Sequence, residues 1–189
     1  NACAEICSAD DSDLCNLSSI NLSAIESEEE RRMVTELGTI FLLCGSLYST
    51  VPYPKVAVVK EKNRRIGLGL LGVHDWLLSH GYKYGENKEL TGLLEIYRSV
   101  SDATATDYAN KLNINRPKGV RAVAPAGTIS IIAETSSGLE PIFCTAFKRR
   151  YLKRNDWHVQ YVVDAAAQRL IDKGVKPDDI EDAMVLAAE

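Results

Sequence analysis

The stretch Ile66-Gly67-Leu68-Gly69-Leu70-Leu71-Gly72 decides how the chain folds. It is apolar and rich in glycine, and its apolar character continues as far as residue 80. This pattern predicts a strand or turn that runs into a helix ending at Gly81. Its glycines match the Gly-x-Gly-x-x-Gly fingerprint of dinucleotide-binding proteins. However, the residues just before it are charged, and the acidic residues after it fall in a turn or helix, which counts against that function. We interpret the glycines as positions where a helix packs closely on a sheet.

The segments on either side alternate between short strands and longer helices. Upstream, residues 16–22 predict a short strand, and the capping box formed by Ser27 and Glu30 begins a helix that ends before Pro52. Residues 56–59 are too few to classify. Downstream, the spacing of apolar residues predicts a helix over 88–112, a turn at 117–119, a strand over 120–124 and a helix over 157–172 closed by Gly174. Pro177 starts a further helix. The chain is therefore expected to be an α/β protein dominated by helix.

The composition excludes several classes of protein. The 189 residues carry a net charge of −4, which argues against a nucleic-acid scaffold. No apolar run is long enough to cross a membrane and no signal peptide opens the chain, so a cytoplasmic location is expected. The basic residues at 148–150, 153 and 154 are expected to form a solvated face.

The number and spacing of the cysteines argue against a disulfide framework and against a zinc site. There are five of them, an odd number, and no Cys-x-x-Cys pair occurs. Cys44 and Cys144 have apolar neighbours and are predicted to lie in the core. Cys3, Cys7 and Cys15 fall in a polar segment over residues 1–15, predicted to be a loop, where a reactive thiol would be accessible.

Two short patterns could carry chemistry. Asn1-x-Cys3-x-Glu5 places an amide, a thiol and a carboxylate at alternate positions. In an extended loop these three side chains would face one ligand, an arrangement suited to covalent or radical chemistry on a hydroxylated substrate. As a bare pattern at a chain terminus it carries little weight. The aspartates at 10, 11 and 13 lack the glycine and distal glutamate of a calcium loop, and we expect them to face solvent.

The second pattern is Pro125-Ala126-Gly127-Thr128-Ile129-Ser130, between a predicted strand and a predicted helix start. Backbone amides at such a turn can converge on a phosphate, with the hydroxyls of Thr128 and Ser130 as further donors. A helix start capped by a hydroxyl that binds nothing fits the spacing equally well.

Together these segments resemble the large, catalytic subunit of ribonucleotide reductase. Residues 1–5, Asn-Ala-Cys-Ala-Glu, are similar to the family's Asn-Pro-Cys-Gly-Glu loop. Residues 15–22 resemble its Cys-Asn-Leu-Gly-Ser-Ile-Asn-Leu segment, and residues 64–71 resemble its Arg-Arg-Ile-Gly-Leu-Gly stretch. Residues 124–143 match its phosphate-loop segment almost throughout, and residues 157–181 are most similar to adenosylcobalamin-dependent (class II) members.

The resemblance implies a fold and a mechanism. The fold would be the second half of a ten-stranded α/β barrel over residues 1–189. Cys3 would carry the thiyl radical that takes the 3′-hydrogen of a ribonucleotide, Glu5 would be the base on the 3′-hydroxyl, and Asn1 would bind the substrate hydroxyls. Cys15 would be one of two thiols that reduce the 2′-carbon and end as a disulfide. Substrate contacts would come from Ala2, Ala4 and the segment Pro125, Ala126, Gly127, Thr128, Ile129 and Ser130.

The resemblance also implies partners. Adenosylcobalamin, with its cobalt, would be bound mainly outside this segment; the alternative is a class I subunit without that cofactor, which relies on a separate radical-generating subunit. A thioredoxin- or glutaredoxin-type reductant, the remaining half of the barrel and a dimer of the complete enzyme are expected. A further alternative is a degenerate, non-catalytic module.

The sequence departs from the family at the start of the chain. Ala2 and Ala4 replace the family's proline and glycine, and the first thiol of the redox pair belongs upstream, so we expect a fragment that is inactive alone. Asn1-Ala2 is also typical of a cleaved tag, in which case Asn1 matches the motif by accident. A natural segment starting at Cys3 would fit a gene interrupted by an intein.

Overall fold

The computed structural model describes residues 3–142, 144 and 146–176. The helices are α1 (Glu28–Tyr48), α2 (Pro54–Asn63), α3 (Val73–Ser79), α4 (Lys88–Lys111), α5 (Gly127–Ile132) and α6 (Ala165–Asp172). The strands are β1 (Asn16–Asn21), β2 (Ile66–Leu71), β3 (Ala146–Lys153) and β4 (Asp156–Val163), and a short 3-10 helix (Leu22–Ala24) follows β1. None of the helices in the described ranges is long and apolar enough to cross a bilayer.

The stretch around Gly67 forms the central strand of a parallel sheet. β1 pairs with β2 in parallel, from Asn16 opposite Ile66 to Asn21 opposite Leu71. On the other edge of β2, the amide of Leu68 donates to the carbonyl of Val120 at 3.0 Å, and the amide of Ala122 donates to the carbonyl of Leu68 at 3.1 Å. Residues 119–122 thus run beside β2 as a third strand with a single parallel bridge, which is shorter than the strand predicted over 120–124.

The two faces of this sheet differ in burial. Side chains alternate along a strand, so one face is formed by Ile66, Leu68 and Leu70, all of them at most 3% exposed. They pack with α1, α3 and α4 in one hydrophobic core. The other face carries Cys15, Leu17 and the glycines of β2, and Leu17 is 43% exposed. All residues of β2 are nevertheless buried, and a parallel sheet with helices packed on one face fits part of an α/β barrel.

Two glycines of β2 permit the close approach of its neighbours. A Cβ atom on Gly67 would lie 2.5 Å from a methyl carbon of Leu17 and 2.9 Å from Cβ of Ala122. A Cβ atom on Gly69 would lie 2.7 Å from the backbone oxygen of Ala122. Gly72 has a φ of +76°, a conformation that favours glycine. Close packing therefore accounts for Gly67 and Gly69, but the partners are the neighbouring strands and not the helix that the sequence analysis predicts.

Most predicted elements are confirmed with small shifts of their ends. The helix predicted over 88–112 is α4, and the capping box is real, since the amide of Glu30 donates to Oγ of Ser27 at 3.1 Å. The unclassified run 56–59 lies within α2, which begins at Pro54, a favourable first position for proline. The helix predicted after Pro177 lies outside the described residues.

The prediction of one helix over 157–172 is wrong in its first half. Residues 156–163 form β4, which pairs with β3 in an antiparallel hairpin, and the helix begins only at Ala165. Arg154 and Asn155 at the tip have φ values of +50° and +71°, the left-handed pair that a tight hairpin turn requires. The valines at 159, 162 and 163 fit helical spacing, but they are β-branched and equally suit a strand.

Cys44 was also predicted incorrectly. It lies on the exposed side of α1 and not in the core. The adjacent residues Leu42 and Leu43 are buried, whereas Phe41 and Tyr48, about one turn away on the side of Cys44, are exposed as well.

We expect Gly69→Ala to destabilise the protein by about 2 kcal/mol, because the new methyl group meets a backbone oxygen that cannot move aside. Urea denaturation followed by circular dichroism measures this. The matched control is Gly92→Ala in α4, where a Cβ atom meets nothing within 4 Å, and which should be neutral or stabilising by up to about 1 kcal/mol. Equal effects of the two substitutions would contradict close packing as the reason for Gly69.

Candidate active site

The loop before β1 places Cys3 at the surface and Glu5 partly inside. Cys3 is exposed, whereas Oε2 of Glu5 is buried and has no hydrogen-bond partner within the described part of the chain. Between them Ala4 has a φ of +55°, so the loop is not extended there. The prediction that alternate side chains share one side of an extended strand is therefore wrong for this turn. Asn1 and Ala2 lie outside the described residues.

The left-handed turn at Ala4 has a cost. An L-residue with a side chain disfavours this conformation by roughly 1–2 kcal/mol relative to the right-handed one, whereas glycine adopts it freely. The glycine in the Asn-Pro-Cys-Gly-Glu motif that residues 1–5 resemble would suit this φ better than alanine.

Two aspartates of the loop, Asp10 and Asp13, bind the end of α2 and the residue just before β2. Nδ2 of Asn63, a residue with no exposed surface, donates to a carboxylate oxygen of Asp10 and to one of Asp13, each at 2.9 Å. Nε of Arg65 donates to Asp13 at 3.0 Å, and Nζ of Lys62 donates to Asp10 at 2.6 Å. We call these five residues the loop lock. It fixes the chain between Glu5 and Cys15 against the body of the protein.

The loop lock corrects the prediction that these aspartates face solvent. Asp11 does, since its side chain is 77% exposed, but the side chain of Asp13 is only 4% exposed. Burial alone would raise the pKa of Asp13. The hydrogen bonds from Ser8 and Arg65 outweigh that effect, so the pKa of its carboxyl lies below the ordinary value. Hydrogen bonds from Lys62 and then Asn63 hold the pKa of Asp10 well below its usual range as well.

Cys15 immediately precedes β1, and its half-buried thiol lies on the face of the sheet opposite the helices. A Cβ atom on Gly67 would come within 3.0 Å of its Sγ, so the absence of a side chain at Gly67 makes room for this thiol. Burial raises the pKa of the Cys15 thiol to about 11, with Arg65 acting in the opposite direction and the negative charges of Asp13 and Glu5 adding to the increase. The thiol therefore keeps its hydrogen at neutral pH, and Glu5 is near enough to influence it.

The segment 125–130 forms the start of α5. Its N-cap is Ala126, which has no side-chain acceptor, and no side chain caps the helix. Oγ of Ser130 instead donates to the carbonyl of Gly127 at 2.9 Å, and Thr128 is exposed. The helix start is therefore not capped by a hydroxyl, and phosphate binding at this segment stays a prediction. The first amides of a helix have no partner within it, so an exposed, uncapped start can donate to an anion.

The two candidate sites are connected to the two strands that flank β2 on opposite edges. Ala122, whose side chain borders Gly67 next to Cys15, is three residues before Pro125. Both the thiol and the segment 125–130 thus depend on the packing of residues 119–122 against β2. Within the described ranges, no three His, Cys, Asp or Glu side chains come together in a way that could hold a metal ion.

Sequence reasoning missed the loop lock. Two features of the sequence indicate it: the aspartates of the loop, and the basic and amide residues just before the glycine-rich strand. Parallel pairing of β1 with β2 brings the segments preceding both strands to the same end of the sheet, where these opposite charges meet.

Comparisons with known proteins agree with this architecture. The family model "Ribonucleotide reductase, barrel domain" matches residues 1–110 and 115–189. A protein of Mycobacterium phage D29, whose provisional name is adenosylcobalamin-dependent ribonucleoside-triphosphate reductase, is 35% identical over 159 residues, covering 79% of this chain and 23% of its own length. A vitamin B12-dependent ribonucleoside-diphosphate reductase of Mycobacterium tuberculosis strain CDC 1551 is 27% identical over 188 residues, covering 88% and 27%.

The fold matches a solved structure as well. A crystal structure of a B12-dependent (class II) ribonucleotide reductase superimposes with a TM-score of 0.67 at 17% identity, over 83% of this chain and 28% of the other. This likeness confirms the prediction of a partial α/β barrel. The chain spans about a quarter of the length of the relatives it matches.

We expect Asp13→Asn to lower the free energy of unfolding by roughly 2 kcal/mol, because it weakens charge-assisted hydrogen bonds to a buried carboxylate. The pKa of Asp13 is depressed on folding, so its contribution is present above the ordinary value of 3.8 and is lost as the pH falls through the lower folded-state value. Urea denaturation between pH 7 and pH 3 measures both effects. Asp11→Asn is the control and should match wild type. A pH-independent difference would contradict the assignment.

We expect Cys15 to react slowly with iodoacetamide at pH 8, because little of its thiol is ionised and half of it is covered. Its rate should continue to rise about tenfold per pH unit towards pH 11, while Cys3 and Cys7, which are exposed, are labelled early. Peptide mass spectrometry after timed alkylation measures the order in which the cysteines are labelled. Labelling of Cys15 as fast as in urea-unfolded protein would contradict the burial of its thiol.

Proposed function

Because this chain belongs to the ribonucleotide reductase barrel-domain family, we propose that it forms the part of such an enzyme that carries the radical cysteine, one reducing thiol and the phosphate-binding segment. The complete enzyme would reduce ribonucleotides to 2′-deoxyribonucleotides. The observation that carries the proposal is the placement of the half-buried thiol of Cys15 beside Gly67, on the face of the sheet opposite the helices, where burial and then the charges of Asp13 and Glu5 raise its pKa. Relatives named as diphosphate and as triphosphate reductases both match, so the substrate is a ribonucleotide of either kind.

Each residue has a role in the proposed reaction. Cys3, as a thiyl radical, takes the hydrogen atom from the 3′-carbon, so a C–H bond breaks and an S–H bond forms. Glu5 accepts the proton of the 3′-hydroxyl, for which its unpartnered Oε2 is suited. The 2′-hydroxyl leaves as water. Cys15 and a second thiol supply two electrons and two protons, one for the leaving 2′-hydroxyl and one for the 2′-carbon, and end as a disulfide. Glu5 returns its proton to the 3′-oxygen, and Cys3 returns its hydrogen atom to the 3′-carbon.

The substrate phosphates would be bound at the start of α5. The uncapped amides after Ala126 and the exposed hydroxyl of Thr128 provide donors without a cationic side chain. Ala2, Ala4 and Asn1 complete the proposed substrate contacts at the radical-bearing loop.

The proposed cofactor is adenosylcobalamin, as in the relatives named above. When bound, it supplies the radical that takes the hydrogen atom of a thiol, which no side chain does unaided. Exposure of Cys3 on a surface loop fits such a transfer. We propose that the cofactor is bound mainly outside this chain.

We further propose a cytoplasmic enzyme reduced by a thioredoxin- or glutaredoxin-type protein, completed by the rest of the barrel and dimeric when complete. All five cysteines of this chain are free thiols, which suits a reducing compartment. A class I enzyme with a separate radical-generating subunit is the alternative. Turnover of the complete enzyme with adenosylcobalamin alone distinguishes the two.

We expect Cys3→Ala to abolish deoxynucleotide formation by the complete enzyme, since no other thiol can take over the hydrogen abstraction. Cys15→Ser should abolish turnover as well, because a hydroxyl cannot form the disulfide that balances the reduction. Chromatographic detection of deoxynucleotides measures both. Cys44→Ser, on the exposed side of α1, is the control and should retain activity. Full activity of Cys3→Ala would overturn the proposed function.

A further inference from the structure

A buried polar cluster lies at the carboxyl ends of β1 and β2. It consists of Asn21, Ser23, Gly72, Asp75 and Thr135. Oγ1 of Thr135 donates to Oδ2 of Asp75 at 3.0 Å and lies 2.8 Å from Oγ of Ser23, which in turn lies 2.9 Å from Oδ1 of Asn21. The cluster therefore joins the ends of two strands to the chain that follows α5.

Gly72 makes room for this cluster. A Cβ atom at this position would lie 2.5 Å from Oγ1 of Thr135 and 2.6 Å from Oδ1 of Asn21. The amide of Gly72 also donates to the carbonyl of Ser136 at 2.8 Å, and the amide of Asp75 donates to Oγ of Ser136 at 3.2 Å. The last glycine of the fingerprint-like stretch thus serves a polar contact with residues 135 and 136.

Asp75 is an unusual residue at such a position. It is 3% exposed, and its Oδ1 has no partner among the described residues. Its Oδ2 accepts from Thr135 and from Nη2 of Arg169 in α6. Burial of a carboxylate costs several kcal/mol, which a single ion pair often does not recover. A buried carboxylate in this place is better explained by the geometry it imposes than by stability.

Hydrogen bonds lead from this cluster to the proposed phosphate-binding segment. The amide of Thr135 donates to the carbonyl of Ser130 at 3.0 Å, and Oγ of Ser130 donates to the carbonyl of Gly127 at 2.9 Å. Nη1 of Arg169 donates to the carbonyl of Glu134 at 3.0 Å. Asp75 is thereby connected to the end of α5 by two routes, one through Thr135 and one through Arg169.

We propose that Asp75 is a positioning residue, which acts through Thr135 to hold the start of α5 in the orientation that binds the phosphate groups of the substrate. This inference rests on the proposed function. Amides donate well only when their N–H bonds point at the anion, so a rotation of α5 would weaken phosphate binding without removing any donor. Asp75 itself touches no substrate in this scheme.

The test uses the complete enzyme with Thr135→Val, which removes the hydroxyl, and Thr135→Ser, which keeps it. Asp75→Asn is the direct variant, and Asp102→Asn is the control, since Asp102 pairs with Arg121 away from this cluster. Steady-state kinetics give KM and kcat for the ribonucleotide. Inorganic pyrophosphate is the probe for the phosphate site, with its inhibition constant against the substrate as the readout.

We expect Thr135→Val and Asp75→Asn to raise both KM and the inhibition constant of pyrophosphate about tenfold, with kcat within about twofold of wild type. Thr135→Ser and Asp102→Asn should stay near wild type in all three. A merely structural role would lower kcat through loss of active enzyme and leave the pyrophosphate constant unchanged, and that result would overturn the inference. If Asp75→Asn fails to fold, the comparison of Thr135→Val with Thr135→Ser still tests the inference.

The outcome separates this inference from the proposed function. Failure of the wild-type enzyme to reduce ribonucleotides would overturn the proposed function. Calorimetric titration of wild type and Thr135→Val with pyrophosphate would then still decide the role of the cluster. Equal affinity of the two proteins, or no binding by wild type, would overturn the inference.

Discussion

The close approach of two neighbours to β2 is the constraint on which the rest of the structure depends. β1 and residues 119–122 flank this strand so tightly that a methyl group at Gly67 or Gly69 would overlap with them. On its other face Ile66, Leu68 and Leu70 are buried under three helices. The strand is thus packed on one side by apolar side chains of the helices and on the other by side chains of its neighbouring strands, and the missing side chain of Gly67 leaves space for Cys15.

Polar contacts at the two ends of the sheet then fix the segments proposed to carry chemistry. At the amino end, the loop lock binds the chain between Glu5 and Cys15. At the carboxyl end, the cluster around Asp75 binds the chain after α5. Both use buried carboxylates, which contribute less to net stability than an apolar residue of similar size often would. What the two carboxylates share is directional bonding. A carboxylate accepts hydrogen bonds only from donors in particular positions, whereas apolar side chains can shift against one another with little loss of contact.

The sequence predicts the elements better than their polar connections. α1 and α4 have long, regular apolar spacing, and the glycines of β2 have no satisfactory explanation except close packing. The hairpin of β3 and β4 is not predicted because its valines fit both the spacing of a helix and the composition of a strand. The turn at Arg154 and Asn155 also lacks the usual glycine. Asp13 and Asp75 could not be found from spacing, since their partners are about 50 to 94 residues away in the chain. Their burial is a property of the strand pairing, not of their neighbours in sequence.

The protonated state of Cys15 follows from these contacts and bears on the kind of chemistry the site can support. Enzymes that use a cysteine as a nucleophile lower its pKa with nearby positive charge, because the thiolate is the reactive form. Here burial acts in the opposite direction, and the one nearby cation, Arg65, is paired with Asp13. A thiolate has no hydrogen to give, whereas a thiol can donate one. The loop lock places the carboxylate of Asp13 beside Arg65, so the negative charge of Asp13 opposes the effect of this cation on the thiol. Burial then leaves Cys15 as a thiol suited to hydrogen transfer.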